Sequence, residues 1–399
     1  MITQRVSELR SSLKAQLGLP ARVIFLCENP ALWNSFHTIV TEMQKDPKFE
    51  VILVRLWCKV YSKDGTYTYV AADFGEISER INQCFIESYN PETNTWLDLQ
   101  KMEPDYVFYM RPYDYYRNED YHISCVSKYT KTCYVPYGMT VIGGEVERFT
   151  MPKDFSKYLY YFFLDTPLRK PFIQEDYGQD AVLKEERVLC LGYPRMDLLR
   201  NLDTDNKQTD CCTMLWLPRW NTGENCCNFF EYKDILPEYA IKEENCHLIF
   251  RPHPLCFQNF LNTGELLPEE LEALKQQFAS EPNLFLDENG SYLESFLKSD
   301  VLIADETSLI AEYYSSGKPI VFCKKEMHIS ALMEKLAEGI YFVENWDELK
   351  ATLTMLRGGN DPLYSKRLEI VERALFQTDK PSGELIKEQL VKDFYSQKM

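Results

Sequence analysis

The sequence predicts an α/β protein made of two Rossmann-like domains that face a central cleft. Three observations support this fold class: short apolar runs alternate with helical segments, the alternation begins again near residue 185, and the chain has 399 residues. Such a length exceeds one ordinary domain, because single hydrophobic cores stop growing at about 250–300 residues. Hydrophobic residues make up 45% and charged residues 26% of the chain, which are the proportions of a folded globular protein.

The first half opens with a β-α-β pattern. Residues 22–27 (RVIFLC) and 49–56 (FEVILVRL) are apolar runs, and residues 32–45 between them have helical spacing. Uninterrupted apolar runs of this length are typical of strands buried in a parallel sheet. A further helix and further strands are expected at residues 77–88, 106–110, 134–137 and 155–164. We therefore expect an N-terminal domain over residues 1–184, with a C-terminal helix at about 375–399 that could pack back on it.

The same alternation in the second half predicts a second domain over residues 185–374. Its expected strands are residues 188–191, 214–217, 248–250, 284–286, 301–304 and 320–323, and its clearest helices are residues 268–279, 292–298 and 308–315. Open α/β sheets bind ligands beyond the carboxyl ends of their strands. Functional side chains are therefore expected where these strands end.

Charge and composition exclude several classes of protein. The formal charge of -17 argues against a nucleic-acid binder, although it allows a small phosphorylated ligand because distant charges are screened over about 8 Å. No run approaches the roughly 18 apolar residues of a membrane span, so we expect a cytoplasmic protein. The adjacent pairs among the 13 cysteines lack zinc-site spacing, and no metal or cofactor is expected.

The first 17 residues have the spacing of an amphipathic helix. Apolar residues recur at Ile2, Val6, Leu9, Leu13 and Leu17. We expect this helix to pack its apolar face against the protein, because its polar face is only weakly basic for a membrane anchor.

The sharpest functional segment follows the strand at residues 301–304. Asp305, Thr307 and Ser308 lie in the turn before a helix, where hydroxyl and backbone N–H groups could bind an anion or simply cap the helix. Glu312 lies one helical turn after Ser308, on the same face, where a carboxylate could accept hydrogen bonds from ribose hydroxyls. The segment therefore has the arrangement expected of a nucleotide site.

Three other predicted strands end in basic residues. Arg251 and His253 alternate with two prolines after the strand at 248–250, so their backbone is stiff. Arg195 follows the strand at 188–191, and Arg219 follows the strand at 214–217. Together with the hydroxyl turn, these strand ends predict a phosphate-binding site.

These motifs carry a family resemblance. In order, GYPRMD at 192–197, LPRW at 217–220, RPHP at 251–254 and the segment at 299–319 resemble the CDP-glycerol glycerophosphotransferase family, which includes teichoic acid polymerases. The resemblance implies a GT-B architecture, with a CDP-polyol donor on the C-terminal domain and a glycan or lipid-linked glycan acceptor on the N-terminal one. It also implies that Arg251 and His253 contact the donor phosphates, that Thr307 and Ser308 hold phosphate, and that Glu312 holds the ribose.

Two departures from the family pattern concern the second motif and the acceptor side. The order of tryptophan and arginine is reversed at Arg219-Trp220, and residues 134–138 (YVPYG) lack the histidine of the family's Trp-His-Gly-Thr turn, which looks like its general base. His37 is one alternative candidate for the base, although it could equally be a structural residue of the first helix. Tyr113, Asp114 and Tyr137 form a second group at strand ends, expected on the acceptor side.

The expected reaction is the transfer of a polyol phosphate from a CDP-activated donor to a glycan hydroxyl, with release of CMP. Two alternatives remain from the sequence: a nucleotide-sugar glycosyltransferase of the same fold, and a non-catalytic nucleotide-binding subunit. Peripheral association with the inner face of the cell membrane is also left open.

Overall fold

The computed structural model describes residues 2–62, 64–139, 141, 143, 148–199, 212–325, 329–375 and 378–396. These residues form two compact units, one from Met1–Gly138, Arg148–Leu198 and Thr378–Met399, and one from Met139–Glu147 and Leu199–Gln377. Each unit contains its own parallel sheet and its own hydrophobic core.

The first unit is built on a seven-stranded parallel sheet. The strands of the whole unit are β1 (Ala21–Cys27), β2 (Phe49–Arg55), β3 (Trp57–Tyr61), β4 (Tyr67–Ala71), β5 (Ile86–Glu87), β6 (Tyr89–Asn90), β7 (Thr95–Trp96), β8 (Tyr106–Tyr109), β9 (Lys131–Tyr134), β10 (Tyr161–Phe163) and β11 (Val188–Leu189). The order is β11-β10-β9-β8-β1-β2-β5, while β3–β4 and β6–β7 form two separate antiparallel hairpins. The strand order reverses between β1 and β8, as it does in a Rossmann fold.

The helices of the first unit flank this sheet. They are Ile2–Gln16, His37–Gln44, Gly75–Ile81, Ile123–Val126, Lys153–Ser156, Pro194–Asp197 and Ser382–Tyr395. The expected strand at residues 134–137 lies three residues earlier, as β9. The expected strand at 155–164 is divided into a short helix and β10, because Pro152 occupies the N-cap position and starts the helix.

The N-terminal helix Ile2–Gln16 is oriented opposite to the sequence expectation. Ser7 and Ser11 are buried, whereas Leu9 and Leu13 are 58% and 56% exposed. Ser11 donates a hydrogen bond to Asp105, and Lys14 pairs with the same buried carboxylate. These polar contacts hold the serine face against the unit, because leaving a buried carboxylate unpaired would cost more than exposing leucines.

The segment at 188–198 lies in the first unit, although the sequence pattern places its strand in the second domain. The strand β11 pairs in parallel with β10. The carboxylate of Asp197 then accepts hydrogen bonds from the Ser382 N–H at 2.8 Å, the Ser382 hydroxyl at 2.7 Å, the Gly383 N–H at 3.0 Å and the Thr38 hydroxyl at 3.0 Å. Asp197 thus joins the C-terminal helix Ser382–Tyr395 to the helix His37–Gln44.

Close packing at this joint explains two glycines. Gly192 has a φ of 81°, in the left-handed region that favours glycine. A Cβ at Gly383 would lie 2.6 Å from the backbone carbonyl of Thr38, so the two helices approach too closely for any side chain there. The GYPRMD motif is therefore a structural joint of the first unit.

The second unit has a six-stranded parallel sheet. Its strands are β12 (Cys212–Leu217), β13 (Cys246–Phe250), β14 (Leu284–Leu286), β15 (Val301–Ala304), β16 (Ile320–Cys323) and β17 (Tyr341–Val343). Its helices are Phe229–Tyr232, Ile235–Lys242, Cys256–Thr263, Pro268–Ser280, Leu293–Lys298, Leu309–Tyr314, Ala331–Leu336, Trp346–Arg357 and Tyr364–Ile370. The order β14-β13-β12-β15-β16-β17 again reverses at one point, between β12 and β15.

Candidate functional site

Three neighbouring strands of the second unit bring their carboxyl ends together at the point where the strand order reverses. The turns after β12, β13 and β15 enclose a cavity of about 90 Å³, whose lining includes Arg219, Trp220, Arg251, His253 and Thr307. This is the position at which open α/β sheets bind ligands. Three of the four motifs singled out in the sequence therefore form one site.

His253 is held as a neutral imidazole with a defined tautomer. Its Nδ1 accepts a hydrogen bond from the Leu255 N–H at 3.1 Å, so the proton of the neutral ring lies on Nε2. His253 is an exposed residue, yet the protein atoms around its ring and the nearby Arg219 guanidinium lower the pKa of His253 to about 4. His253 can therefore donate a hydrogen bond from Nε2 at neutral pH, but it is not the cation that the sequence suggested.

Trp220 fixes the plane of this imidazole, a role that the sequence did not reveal. The two rings stack with centroids 5.5 Å apart and an interplanar angle of 23°. The Trp220 carbonyl in turn accepts a hydrogen bond from the Asn259 side chain at 3.0 Å. Reversal of the arginine and tryptophan in the second motif thus places an aromatic ring against His253.

Asp305 is a structural centre of the site, although the sequence placed it among the donor-binding residues. It is 1% exposed and accepts hydrogen bonds from the Arg219 N–H at 3.0 Å, the Asn228 N–H at 2.8 Å and the Asn228 amide at 2.8 Å. Burial raises the pKa of Asp305 to about 6, against the effect of these donors. Asp305 therefore positions the turn after β12 and does not face the cavity.

Both arginines that line the cavity are paired with carboxylates. Arg219 pairs with Glu224, and its NH1 donates to the Glu306 carbonyl at 3.2 Å. Arg251 pairs with Asp287 at 2.7 Å and donates to two carbonyls of the following loop. Their charges are thus largely compensated, and contact of Arg251 with a donor phosphate stays a prediction.

The hydroxyl turn faces the cavity in part. Thr307 lines it, and its Oγ1 accepts a hydrogen bond from the Leu309 N–H at 3.4 Å. Ser308 is exposed at the start of the helix Leu309–Tyr314, and within the described residues its side chain makes no capping hydrogen bond. Glu312 is 0% exposed, because the helix turns this face into the core, so its ribose role stays a prediction.

Arg195 belongs to the first unit, whereas the other donor-site candidates belong to the second. It is 5% exposed and donates to the Tyr137 carbonyl. The prediction that four strand ends of one domain meet is therefore wrong for this motif. The physical reason is that β11 completes the first sheet.

The acceptor-side candidates lie together in the first unit. The hydroxyls of Tyr113 and Tyr137 are 2.8 Å apart, and burial raises the pKa of Tyr113 well above its usual value. Asp114 accepts hydrogen bonds from Arg117 at 2.8 Å and from the Ile123 N–H at 3.1 Å. Asp114 therefore has a structural function in this unit, whereas the tyrosine pair could meet a ligand.

His37 is a weak candidate for a base. Its Nδ1 accepts a hydrogen bond from the Trp33 indole at 3.2 Å, which places the ring proton on Nε2. Burial, with Arg80 and Lys45 nearby, lowers the pKa of His37. A lower pKa and an occupied lone pair both weaken proton abstraction, and the assignment stays a prediction.

A buried ionic network at the strand-order reversal of the first unit had no signal in the sequence. Glu28, directly after β1, pairs with Arg111 at 2.7 Å and with Arg117 at 2.5 Å. Its side chain is 0% exposed. Both arginines follow Glu28 by more than 80 residues in the sequence, so only the fold brings them to its carboxylate.

Two α/β units, each with its own parallel sheet and a reversal of strand order, are the elements of the GT-B fold class. Residues 161–331 match the model of the family described as CDP-glycerol:poly(glycerophosphate) glycerophosphotransferase. The predicted family resemblance, and with it the prediction of a glycerophosphotransferase-like enzyme, is confirmed by this match. No curated protein matches the chain in sequence.

Solved structures share the fold at low sequence identity. MnaA of S. aureus, solved with UDP, has a TM-score of 0.63 and 12% identity, covering 95% of this chain and 99% of its own. The wall teichoic acid polymerase TagF has a TM-score of 0.58 and 16% identity, covering 100% of this chain and 99% of its own. UDP-GlcNAc 2-epimerase of Neisseria meningitidis has a TM-score of 0.61 and 14% identity, covering 93% of this chain and 100% of its own. The prediction of the GT-B fold class is thereby confirmed.

Proposed function

We propose that the protein transfers glycerol phosphate, or a related polyol phosphate, from a CDP-activated donor to a hydroxyl of a cell-wall or capsule glycan. The observation that carries this proposal is the cavity at the ends of β12, β13 and β15, which lies inside the family-matched segment. The donor binds there through its phosphates, and the acceptor binds on the first unit.

In the proposed reaction the acceptor oxygen attacks the β-phosphorus of the donor. A new P–O bond forms to the acceptor, the bond from the β-phosphorus to the bridging oxygen breaks, and CMP leaves with the bonding electrons. The acceptor hydroxyl loses its proton to a base or to water. Negative charge increases on the departing CMP phosphate, so fixed hydrogen-bond donors at that position contribute most.

His253 is the donor best placed for this charge. Its ring is fixed by the Leu255 N–H and by the Trp220 stack, so Nε2–H needs little reorientation during the reaction. The Thr307 and Ser308 hydroxyls supply further donors. As negative charge develops beside it, the pKa of His253 rises from its low value and the hydrogen bond strengthens.

Acceptor-dependent release of CMP tests the proposed reaction. The purified protein is incubated with CDP-glycerol and a lipid-linked disaccharide, and CMP is measured with and without that acceptor. UDP-GlcNAc serves as the matched second donor. Release of UDP but not CMP would indicate a glycosyltransferase, and binding of CDP-glycerol by calorimetry with no CMP under any condition would indicate a binding subunit.

The ribose role of Glu312 has a test that separates binding from folding. We expect Glu312→Ala to weaken CDP-glycerol binding by about 10- to 100-fold, since a hydrogen bond to a charged group contributes about 1.5–3 kcal/mol. The matched ligand is 2′-deoxy-CDP-glycerol, which lacks one hydroxyl. If Glu312 holds the ribose, the variant loses less affinity for the deoxy ligand, whereas equal losses for both ligands would assign it to the core.

We also propose that the enzyme acts at the inner face of the cell membrane on a lipid-linked acceptor. None of the described helices is long and apolar enough to cross a bilayer. Support for a peripheral position comes from the apolar stripe of the N-terminal helix, where Val6, Leu9 and Leu13 are each more than half exposed.

Sedimentation with vesicles of phosphatidylethanolamine and phosphatidylglycerol measures this association. We expect the wild type to sediment with the vesicles and Leu9→Ser/Leu13→Ser to stay in the supernatant. Leu368→Ser, at an exposed leucine of the second unit, is the matched control. A wild type that stays in solution at every vesicle concentration would refute the proposal.

A further inference from the structure

A groove lies on one flank of the first unit, and neither Tyr113 nor Tyr137 lines it. It has a volume of about 710 Å³ and is formed by residues 95–101 together with residues around the helix Ile123–Val126. Its lining includes Trp96, Asp98, Asp120, Tyr121, Lys128 and Tyr129. Volumes of about 300–1,000 Å³ are typical of small-molecule sites, and this groove combines aromatic rings with a few polar groups as such sites do.

A continuous row of aromatic rings leads from the β3–β4 hairpin into this groove. The centroids of Tyr61 and Tyr67 are 5.5 Å apart, those of Tyr67 and Tyr69 are 5.5 Å apart, and those of Tyr69 and Trp96 are 4.7 Å apart. Trp96 then contacts Tyr121 at 5.8 Å. The row therefore joins the tip of a hairpin outside the main sheet to the aromatic wall of the groove.

Hairpin stability alone does not account for the row. Tyr61 and Tyr67 are cross-strand partners, and such a pair contributes to the stability of a hairpin. They nevertheless remain 48% and 46% exposed. An exposed aromatic surface that continues into a groove is typical of a binding surface.

The polar groups of the groove are balanced in charge. Asp98 accepts hydrogen bonds from the backbone N–H groups of Gln100 and Lys101, and these bonds fix the turn that forms one wall of the groove. The lining includes two carboxylates, Asp98 and Asp120, and two ammonium groups, Lys101 and Lys128, and Lys101 pairs with Asp98 at 3.5 Å. An anionic ligand would find no net positive charge there, and the charge of the whole chain is -17. A neutral ligand that offers many hydroxyl groups suits this lining best.

The geometry points to a neutral glycan as the occupant. The C–H face of a sugar ring packs against an aromatic ring, while its hydroxyls both donate to carboxylates and accept from ammonium groups. We propose that this groove, with the aromatic row, holds the uncharged saccharide part of the acceptor at a distance from its reacting hydroxyl. The choice of a glycan rests on the proposed function, which this inference deepens by naming the chemical class of the acceptor.

Binding of neutral oligosaccharides without any donor tests this inference independently of turnover. The probes are cellohexaose, maltohexaose and the tetramer of β-1,4-linked N-acetylglucosamine, with Trp fluorescence and calorimetry as readouts. We expect at least one probe to bind at millimolar concentration or below. Trp96→Ala and Tyr67→Ala should each weaken that binding by about two- to tenfold, because each variant removes one aromatic contact with the sugar.

Matched controls keep the test decisive if Trp96→Ala folds poorly. Tyr67 is exposed, so Tyr67→Ala should fold, and Tyr364→Ala changes a tyrosine of the second unit that is 52% exposed. Lys128→Gln should weaken binding without any change of the aromatic row. The inference is overturned if no neutral probe binds, if Tyr67→Ala and Tyr364→Ala bind equally well, or if only anionic poly(glycerol phosphate) binds. Sugar binding without CMP release would support the groove as a glycan site and would contradict the proposed transfer reaction.

Discussion

His253→Ala is expected to slow the transfer reaction by about 10²–10³-fold at saturating substrate, as the loss of one fixed donor to a developing charge typically does. The rate falls because the variant lacks the Nε2–H group, which the Leu255 N–H and the Trp220 ring hold in one orientation in the wild type. Initial rates of CMP release, measured on wild type and variant at matched concentrations, give the ratio. His247→Ala is the matched control, since His247 is the second residue of the strand that precedes His253.

The pH profile distinguishes a neutral His253 from a cationic one. Because the pKa of the free residue is lowered to about 4, its ring stays neutral at every higher pH, and its charge should change only below about pH 5. We therefore expect kcat/KM for the donor to show no inflection near pH 6.5 that arises from this residue. An inflection near pH 6.5 that disappears in His253→Gln would contradict the structure of the site.

Asp197→Ala should lower the free energy of unfolding of the first unit by about 3 kcal/mol, because several buried donors lose a charged acceptor at once. The groups affected are the N–H groups of Ser382 and Gly383 and the hydroxyls of Ser382 and Thr38. Urea unfolding gives the free energy. Hydrogen exchange of the C-terminal helix Ser382–Tyr395 shows whether the loss is local.

Two variants define the cause of that loss. Asp197→Asn keeps an oxygen acceptor and should lose less stability than Asp197→Ala. Asp379→Ala removes an exposed carboxylate close to the same helix and should have almost no effect. Equal stability of Asp197→Ala and wild type would assign the GYPRMD motif to ligand binding after all.

Much of the second sheet could be predicted from the sequence, because its strands are continuous apolar runs with clear boundaries. The bounds of β15 agree with the prediction to the residue, and three of the four strand ends expected at the site, those of β12, β13 and β15, line one cavity. The site followed from a general rule, since parallel strands place their carboxyl ends at one edge of a sheet. The residues that the motifs predict to bind phosphate therefore lie at the edge of the sheet where this rule places a ligand.

Predictions failed where long-range contacts decide between two local possibilities. The serine face of the N-terminal helix is buried because Asp105, more than 80 residues later, needs partners. Arg195 resembles a strand-end ligand in the sequence, yet β11 joins the first sheet. The pairing of Arg219 with Glu224, five residues away, and of Arg251 with Asp287 likewise had no motif to indicate it.

The pairing of both cavity arginines has a consequence for discrimination among cellular anions. A site with uncompensated cations would attract ATP and inorganic phosphate, which are abundant, and would lose affinity steeply as ionic strength rises. Here Glu224 and Asp287 cancel most of that attraction before any ligand arrives. Recognition then depends on short-range hydrogen bonds and shape, so abundant cellular anions compete poorly with the donor for this site.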